Sequence, residues 1–287
     1  MISIILILLF VFSVLSVPVC HGVISGLYLY GMKIFPGLFI SFILTNIFVR
    51  ILQQKNINNP WILVITGLMT GFPNGAYICS WYNKNNPENR LGDMLAGIIN
   101  IPSPAFLISY VYINILEKCI SLPMFLALTY TPVILCSYMA ILLFRDKDNK
   151  KNNAPHIKND KKLIFHFFEE AVDSSINTAL KLGAYVIIFS VIVNIIMHFS
   201  QSNTAGLLIS YLFEISNGLA IIKNAGIPMN ITVLLTVLLD AFGGVCIIMQ
   251  TKSICSSYIS IKKYIYQKLV LCIVCLLYTS PSPRDTR

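Results

Sequence analysis

The sequence predicts an all-α polytopic membrane protein built from two inverted repeats, each of about three spans plus a re-entrant or broken-helix hairpin. Three observations carry this expectation. Hydrophobic residues make up 56% of the 287 residues and charged residues only 11%, with a mean hydropathy of +0.75, which lies outside the usual range of soluble domains. Apolar runs of membrane-crossing length alternate with short basic connections. Two apolar runs in each half are interrupted at corresponding places by Gly, Pro or a polar cluster.

Taken in order, residues 1–17 are nearly all Ile, Leu, Val and Phe. They lack a basic n-region and a small-x-small cleavage site, so residues 1–20 read as a retained N-terminal span rather than a signal peptide; whether they are cleaved stays open. A polar-poor linker holding Lys33 leads to a second span that opens at Phe35 and ends near Arg50. Residues 61–82 are apolar but broken by Gly71, Pro73, Asn74 and Gly75. Pro removes a backbone donor and Gly weakens the next turn, which predicts two half-helices forming a re-entrant hairpin. A polar stretch, 83–93, precedes a span over 101–116 opened by Pro102 and Pro104, and 122–144 is a plain span kinked at Pro132. Residues 21–144 thus form the first repeat.

Residues 145–165 are a basic loop, with seven Lys or Arg against three Asp over 145–162, and the positive-inside rule places it in the cytoplasm. Residues 166–180 are amphipathic, with Glu169, Glu170, Asp173 and Asn177 on the polar side; they either gate a pathway or lie in the membrane interface. A span over 181–198 leads to an uncharged connection, 200–205, which suits the outer side. The runs 207–223 and 228–250 follow, Lys252, Lys262 and Lys263 mark a cytoplasmic return, and 264–278 starts a last span that ends the second repeat, 166–278. The tail LLYTSPSPRDTR fits nothing before it and resembles a translated sequencing adapter. Residues 279–287 therefore read as non-native, with the native C-terminus then missing.

The candidate site is concentrated in residues 207–250. Glu214 sits with Ser216, Asn217 and Gly218 inside one apolar run, and Asp240 runs into Gly243 and Gly244 in the next. An ionised carboxylate near a bilayer midplane costs at least about 2.5 kcal/mol, so such residues face a protein interior or a wet cavity. Glycine beside a charge lets backbone groups turn toward a ligand. The first half supplies matching punctuation in Asn74, Gly75 and Ser103: Gly75 to Pro104 is 29 residues, and Gly218 to Gly244 is 26. The expected substrate-binding set is therefore Glu214, Asn217, Gly218, Asp240, Gly243, Gly244, Asn74, Gly75 and Ser103, with the two carboxylates converging on one polar cavity. The alternative for both acids is that they brace helices or sit at membrane faces. The charges favour re-entrant hairpins and inverted halves, although full crossings at both hairpins, with Arg50 and Lys55 outside, satisfy the same charges.

Other chemistries find no footing. The net charge of +9 lies in short connections between apolar runs, the pattern of cytoplasmic loops and not of a nucleic-acid footprint. The eight cysteines mostly fall in or beside apolar runs, and Cys272 and Cys275 have redox or metal spacing with no histidine nearby, so they read as packing residues. No HExxH, no GxSxG and no histidine close to a carboxylate within a span is present, so no enzyme, metal or cofactor is expected. His21 and His198 lie at expected span ends, where an interfacial histidine without chemistry would sit.

The segments FPGLF (35–39), GFPNGAY (71–77), PSPAF (102–106), FEISNG (213–218) and FGG with the following Gln250 occur in one order along most of the chain. In this ordered set the chain resembles the YlbJ-type sporulation integral membrane proteins of endospore-forming Firmicutes, within the wider nucleoside-recognition Gate superfamily. It departs from them in being shorter after residue 275 and in its brief polar loop. The resemblance implies a multi-pass protein of the bacterial inner or forespore membrane with a role in spore formation. The expected function is a transporter or permease-like component handling a small polar solute through a midplane site; the alternative is a non-transporting membrane scaffold required for spore cortex or coat formation. Expected partners are the lipid bilayer and an unidentified small polar solute, with a second copy of the chain or other sporulation membrane proteins as candidate neighbours.

Cysteine-accessibility labelling in a cysteine-free background tests the orientation. Probes in 145–162 should react from the cytoplasmic side and probes in 200–205 from the opposite side; labelling of both from one side would sink the topology.

Overall fold

The computed structural model describes residues 16–55, 59–86, 90–143, 161–200, 204–255 and 258–279, together with isolated positions before residue 16. The basic loop over 145–160, most of residues 1–15 and residues 280–287 lie outside the described residues. Helix accounts for 89% of the structure and no strand occurs among the described residues, so the all-α expectation holds. Among the described residues, four helical stretches are long and apolar enough to cross a membrane: Leu91–Ile115, Leu122–Leu143, Phe168–Ser200 and Met229–Cys255. A fifth candidate is the pair Ser16–Ile34 and Leu38–Val49, bent by 56°.

The distribution of side chains is that of a protein in lipid. Leu277 and Leu143 are 77% and 72% exposed, while Asp240 and Lys268 are completely buried and Glu214 nearly so. A soluble protein keeps large apolar patches off its surface and charges on it. Here the apolar exterior and the candidate spans fit a multi-pass protein in a bilayer, with its polar groups turned inward.

The chain enters through α1 (Ser16–Tyr28), which passes through the wider-turned segment Leu29–Ile34 into α2 (Phe35–Lys55). The half-helices α3 (Pro60–Thr70) and α4 (Asn74–Asn85) follow. Next come α5 (Leu91–Ile99) and α6 (Pro104–Phe106), the latter extended by a second wide-turned segment, Leu107–Ile115, and then α7 (Leu122–Leu143). The second half holds α8 (Lys161–Ser200), the short pair α9 (Thr204–Phe213) and α10 (Ile215–Asn224), then α11 (Met229–Phe242), α12 (Gly244–Cys255) and α13 (Ile261–Thr279). Local chemistry sets several of these boundaries. Asn59 caps α3 by accepting from Trp61 N, with Pro60 in the first turn, where a missing N–H costs nothing. Ser103 caps α6 in the same way, with Pro104 behind it. Pro132 lies inside α7, which nevertheless continues past it.

The 40-residue α8 is the mast against which the N-terminal helices pack. α1 runs antiparallel to it at close range, because Gly22 faces Val191 and Gly26 faces Ile187 and Ser190. Tyr30 then donates to Ala179 O at 2.5 Å, Phe42 packs with Ala179 and Leu182, and Asn46 donates to Ser175 Oγ at 3.1 Å, so α2 continues along the same helix. At one end of the bundle, Asn83 donates to Tyr258 O and Ser80 to Cys255 O. Asp93 joins that end by accepting from Ser260 N at 2.7 Å and pairing with Lys263 at 2.8 Å. At another, Lys223 bonds both Asn114 O and Glu117, each at 2.7 Å, joining the end of α10 to the end of α6. That ammonium holds the exposed Glu117 carboxyl below the usual carboxylate range.

Three expectations are corrected. The linker before Phe35 is helical, because nothing in residues 19–34 stops a helix once Pro18 has been placed in its first turn. The span read as 101–116 begins at Leu91, so the last residues of the expected polar stretch belong to the membrane helix, with buried Asp93 satisfied from α13. Residues 166–180 are no separate interfacial helix; they are the first turns of α8, which no breaker interrupts before Ser200, and Glu169, Asp173 and Asn177 face outward.

The close approach of α1 and α8 makes a specific prediction. A Cβ at Gly22 would stand 2.5 Å from Val191 Cα, so Gly22→Val should lower stability by about 2 kcal/mol through overpacking. Gly31→Ala, with no atom within 4 Å and a helical backbone, should leave stability unchanged or raise it by up to about 1 kcal/mol. Unfolding midpoints of the two variants in detergent check the contrast.

Candidate functional site

Among the described residues, two of the breaks that fall within apolar runs in each half are in contact with one another. In the first half, Gly71 ends α3 with φ +72, and the cis Phe72–Pro73 peptide leads to Asn74 at the start of α4. Phe72 N donates to Ile101 O at 2.9 Å, within the interruption between α5 and α6. Gly71 is required here, since a Cβ would lie 2.3 Å from Ser103 N. In the second half, Glu214 is extended (φ −141, ψ 126) between α9 and α10, and Gly243 and Gly244, at φ +83 and +81, separate α11 from α12. Gly244 abuts the carbonyls of Leu212 and Phe213.

Between these interruptions lies a cavity of about 250 Å³. Its walls come from the bend between α1 and α2 (Tyr30, Lys33), from the first-half tips (Phe72, Ser103, Ser109), from Leu182 and Val186 of α8, and from Glu214, Ser216 and Gln250. Glu214 is buried, and its Oε2 accepts from Asn217 N at 2.7 Å, so its carboxyl group caps its own helix at the positive end of the dipole. The remaining polar lining is mostly neutral: hydroxyls of Ser103, Ser109 and Ser216, and the amide of Gln250, which also donates to Cys246 Sγ at 3.2 Å. Such a chamber, apolar walled with a few convergent polar groups, is the form of a small-molecule site.

The nine expected site residues divide into groups. Glu214 and Ser103 line the cavity. Asn74 and Asn217 stand just behind it and tie each tip to a long helix: Asn74 donates to Ser41 Oγ of α2 at 3.3 Å, and Asn217 to Ser190 Oγ of α8 at 3.4 Å. Gly75, Gly218, Gly243 and Gly244 are points of close approach or reversal: a Cβ at Gly75 would meet Ile99 O at 2.8 Å, and one at Gly218 would meet Tyr211 O at 2.6 Å. Asp240 does not join Glu214 on the cavity wall. It faces instead into the packing of α11 with its neighbours, because it lies in the last turn before Gly243, on the side of the helix that α13 and α7 cover.

Sequence reasoning passed over a polar hub that holds the interruptions together. Lys268, fully buried on α13, donates to Asn100 O and, at 2.9 Å, to Ala241 O, and so satisfies carbonyls at the ends of α5 and α11 with one ammonium. Asn100 in turn donates to Tyr264 Oη at 2.7 Å and Thr251 Oγ1 at 3.2 Å, and accepts from Ala76 N at 3.3 Å. A lone lysine inside an apolar span is the signal that could have found it. Among the described residues, no cluster of three or more His, Cys, Asp or Glu could hold a metal ion.

Comparison of the chain with family models, with curated proteins and with solved structures finds no match.

The hub predicts that Lys268→Met, which keeps the side chain's bulk but leaves both carbonyls unpaired, lowers stability by about 2–3 kcal/mol. Thermal unfolding in detergent measures the loss, and an unchanged midpoint would show that the ammonium is dispensable.

Proposed function

We propose that the chain is a permease-like membrane component that holds a small polar solute at the cavity between the two pairs of interrupted helices. The observation that carries this reading is the chamber of about 250 Å³ with buried Glu214 on its wall, set where four helix interruptions gather inside a bundle of membrane-crossing helices. Binding at the junction of broken helices is how membrane proteins offer half-helix ends and unpaired backbone to a solute without exposing them to lipid. We read the two halves as inverted repeats. The support is the recurrence of one local device: an Asn at a hairpin tip (Asn74, Asn217) bonded to a Ser on the preceding long helix (Ser41, Ser190). The end of α4 lies by Tyr258 and the end of α10 by Glu117, so the two hairpins leave the interior toward different ends. The ordered motifs of the resemblance add the setting, the membrane of a spore-forming cell.

One observation favours the scaffold reading. The Glu214 carboxylate already has a structural task as the cap of α10, so it would be retained in a protein that transports nothing.

Uptake of labelled small polar solutes into proteoliposomes separates the two. Glu214→Gln should reduce uptake at least tenfold while the protein still inserts and accumulates, and in a sporulating host it should reduce heat-resistant spores. Full activity in both assays would assign Glu214 to capping alone.

A further inference from the structure

A second polar site lies away from the cavity, in the packing between α11, α7 and α13. Asp240 is completely buried, two residues short of the midpoint of the span Met229–Cys255, and neither of its carboxylate oxygens has a hydrogen-bond partner. Thr236, one turn earlier on the same helix face and also completely buried, has an unpartnered Oγ1. Tyr130 of α7, whose buried hydroxyl is likewise unpartnered, lies within electrostatic range of the Asp240 carboxylate. Four oxygens from three side chains on two helices are thus left without partners around one carboxylate, where buried polar groups are otherwise bonded almost without exception. Among the described residues, the other polar groups near this place have their own partners or are neutral thiols: Tyr211 donates to Leu235 O, Lys268 to Asn100 O and Ala241 O, and Cys272 faces Leu238 O, with Cys275 beyond it.

We propose that Asp240, Thr236 and Tyr130 form a binding site for a monovalent alkali cation. The ligand set is all oxygen with a single negative charge, which matches such an ion in hardness and charge; a divalent ion would call for more carboxylates, and a transition metal for nitrogen or thiolate ligands. A proton would neutralise the carboxylate but could bridge at most one pair of these oxygens, whereas one cation can take a lone pair from each of the four at once. The site is independent of whatever the cavity binds.

The test is the unfolding midpoint of the purified full-length protein in detergent, titrated with NaCl or KCl against choline chloride at constant ionic strength. The wild-type midpoint should rise saturably with an alkali cation, by about 5 °C at one hundred times the dissociation constant. Asp240→Asn should abolish the rise. Thr236→Val and Tyr130→Phe should each raise the half-saturating concentration at least tenfold, and these two carry the test if Asp240→Asn does not fold. Glu214→Gln should leave the rise intact, which separates this site from the cavity. Equal midpoints in alkali and choline chloride, or an unchanged rise in folded Asp240→Asn or in both hydroxyl variants, would overturn the proposal.

Discussion

The structure depends on a single constraint: in hydrocarbon there is no water to satisfy a backbone amide or carbonyl freed by a break in a helix, so every break must find its partners inside the protein. An unsatisfied group costs several kcal/mol in such a medium. The chain meets this by placing breaks against breaks. Phe72 N is bonded to Ile101 O, Ala76 N to the Asn100 side chain, and the carbonyls of Asn100 and Ala241 share the Lys268 ammonium. Once four interruptions are obliged to gather, the space between them is the natural place for a chamber, and its polar lining is a consequence of the same gathering. The cavity and the architecture are one solution to one constraint.

Glycine enters this solution twice, for separate reasons. At Gly71, Gly243 and Gly244 the backbone takes positive φ, so the chain can reverse or cap with no Cβ in the way. At Gly22, Gly26 and Gly75 the conformation is ordinary and the demand is proximity: the neighbouring backbone lies where a side chain would have to be. The first kind makes the interruptions, and the second brings other elements close enough to enclose them. Serine and threonine complete the scheme, since Thr45, Thr66 and Thr129 return their hydroxyls to carbonyls four residues earlier and so bury polar atoms in spans at little cost.

Much of this was legible in the sequence because it is written in residues with strong local effects. The breaks at residues 71–75 and at Gly243 carry Gly or Pro in an apolar run and are found where those residues place them, whereas the break read at Ser216, Asn217 and Gly218 falls instead at Glu214, because the Glu214 side chain caps a helix that runs through all three. The carboxylate Glu214 was equally visible and lines the cavity. What escaped depends on distant partners. Leu91, Gly92 and Asp93 read as the end of a polar stretch until the start of α13 brings Lys263 and Ser260 to Asp93 and Gln267 to Gly97 N, a pairing across about 170 residues that no local pattern announces. Lys268 looks like a stray charge until two helix ends meet at it. The separation of Asp240 from Glu214 turns on helix rotation: Gly243 fixes where α11 ends but says nothing about which flank of its last turn meets the chamber and which meets α7 and α13.

That rotation divides the labour between the two acids. Glu214 is bonded to a backbone amide and stands beside a cavity, so its charge is already compensated on one side and open to a guest on the other. Asp240 has no hydrogen bond and no opening, and the Lys268 ammonium is spent on the carbonyls of Asn100 and Ala241. A fold in marginal balance cannot carry an ionised carboxylate in that condition, so Asp240 must be neutralised by something that enters from outside the covalent chain. Where the neutralising species is a free ion, its occupancy responds to its concentration. It also acts on the same helix whose end Lys268 joins to Asn100 at the first-half interruption.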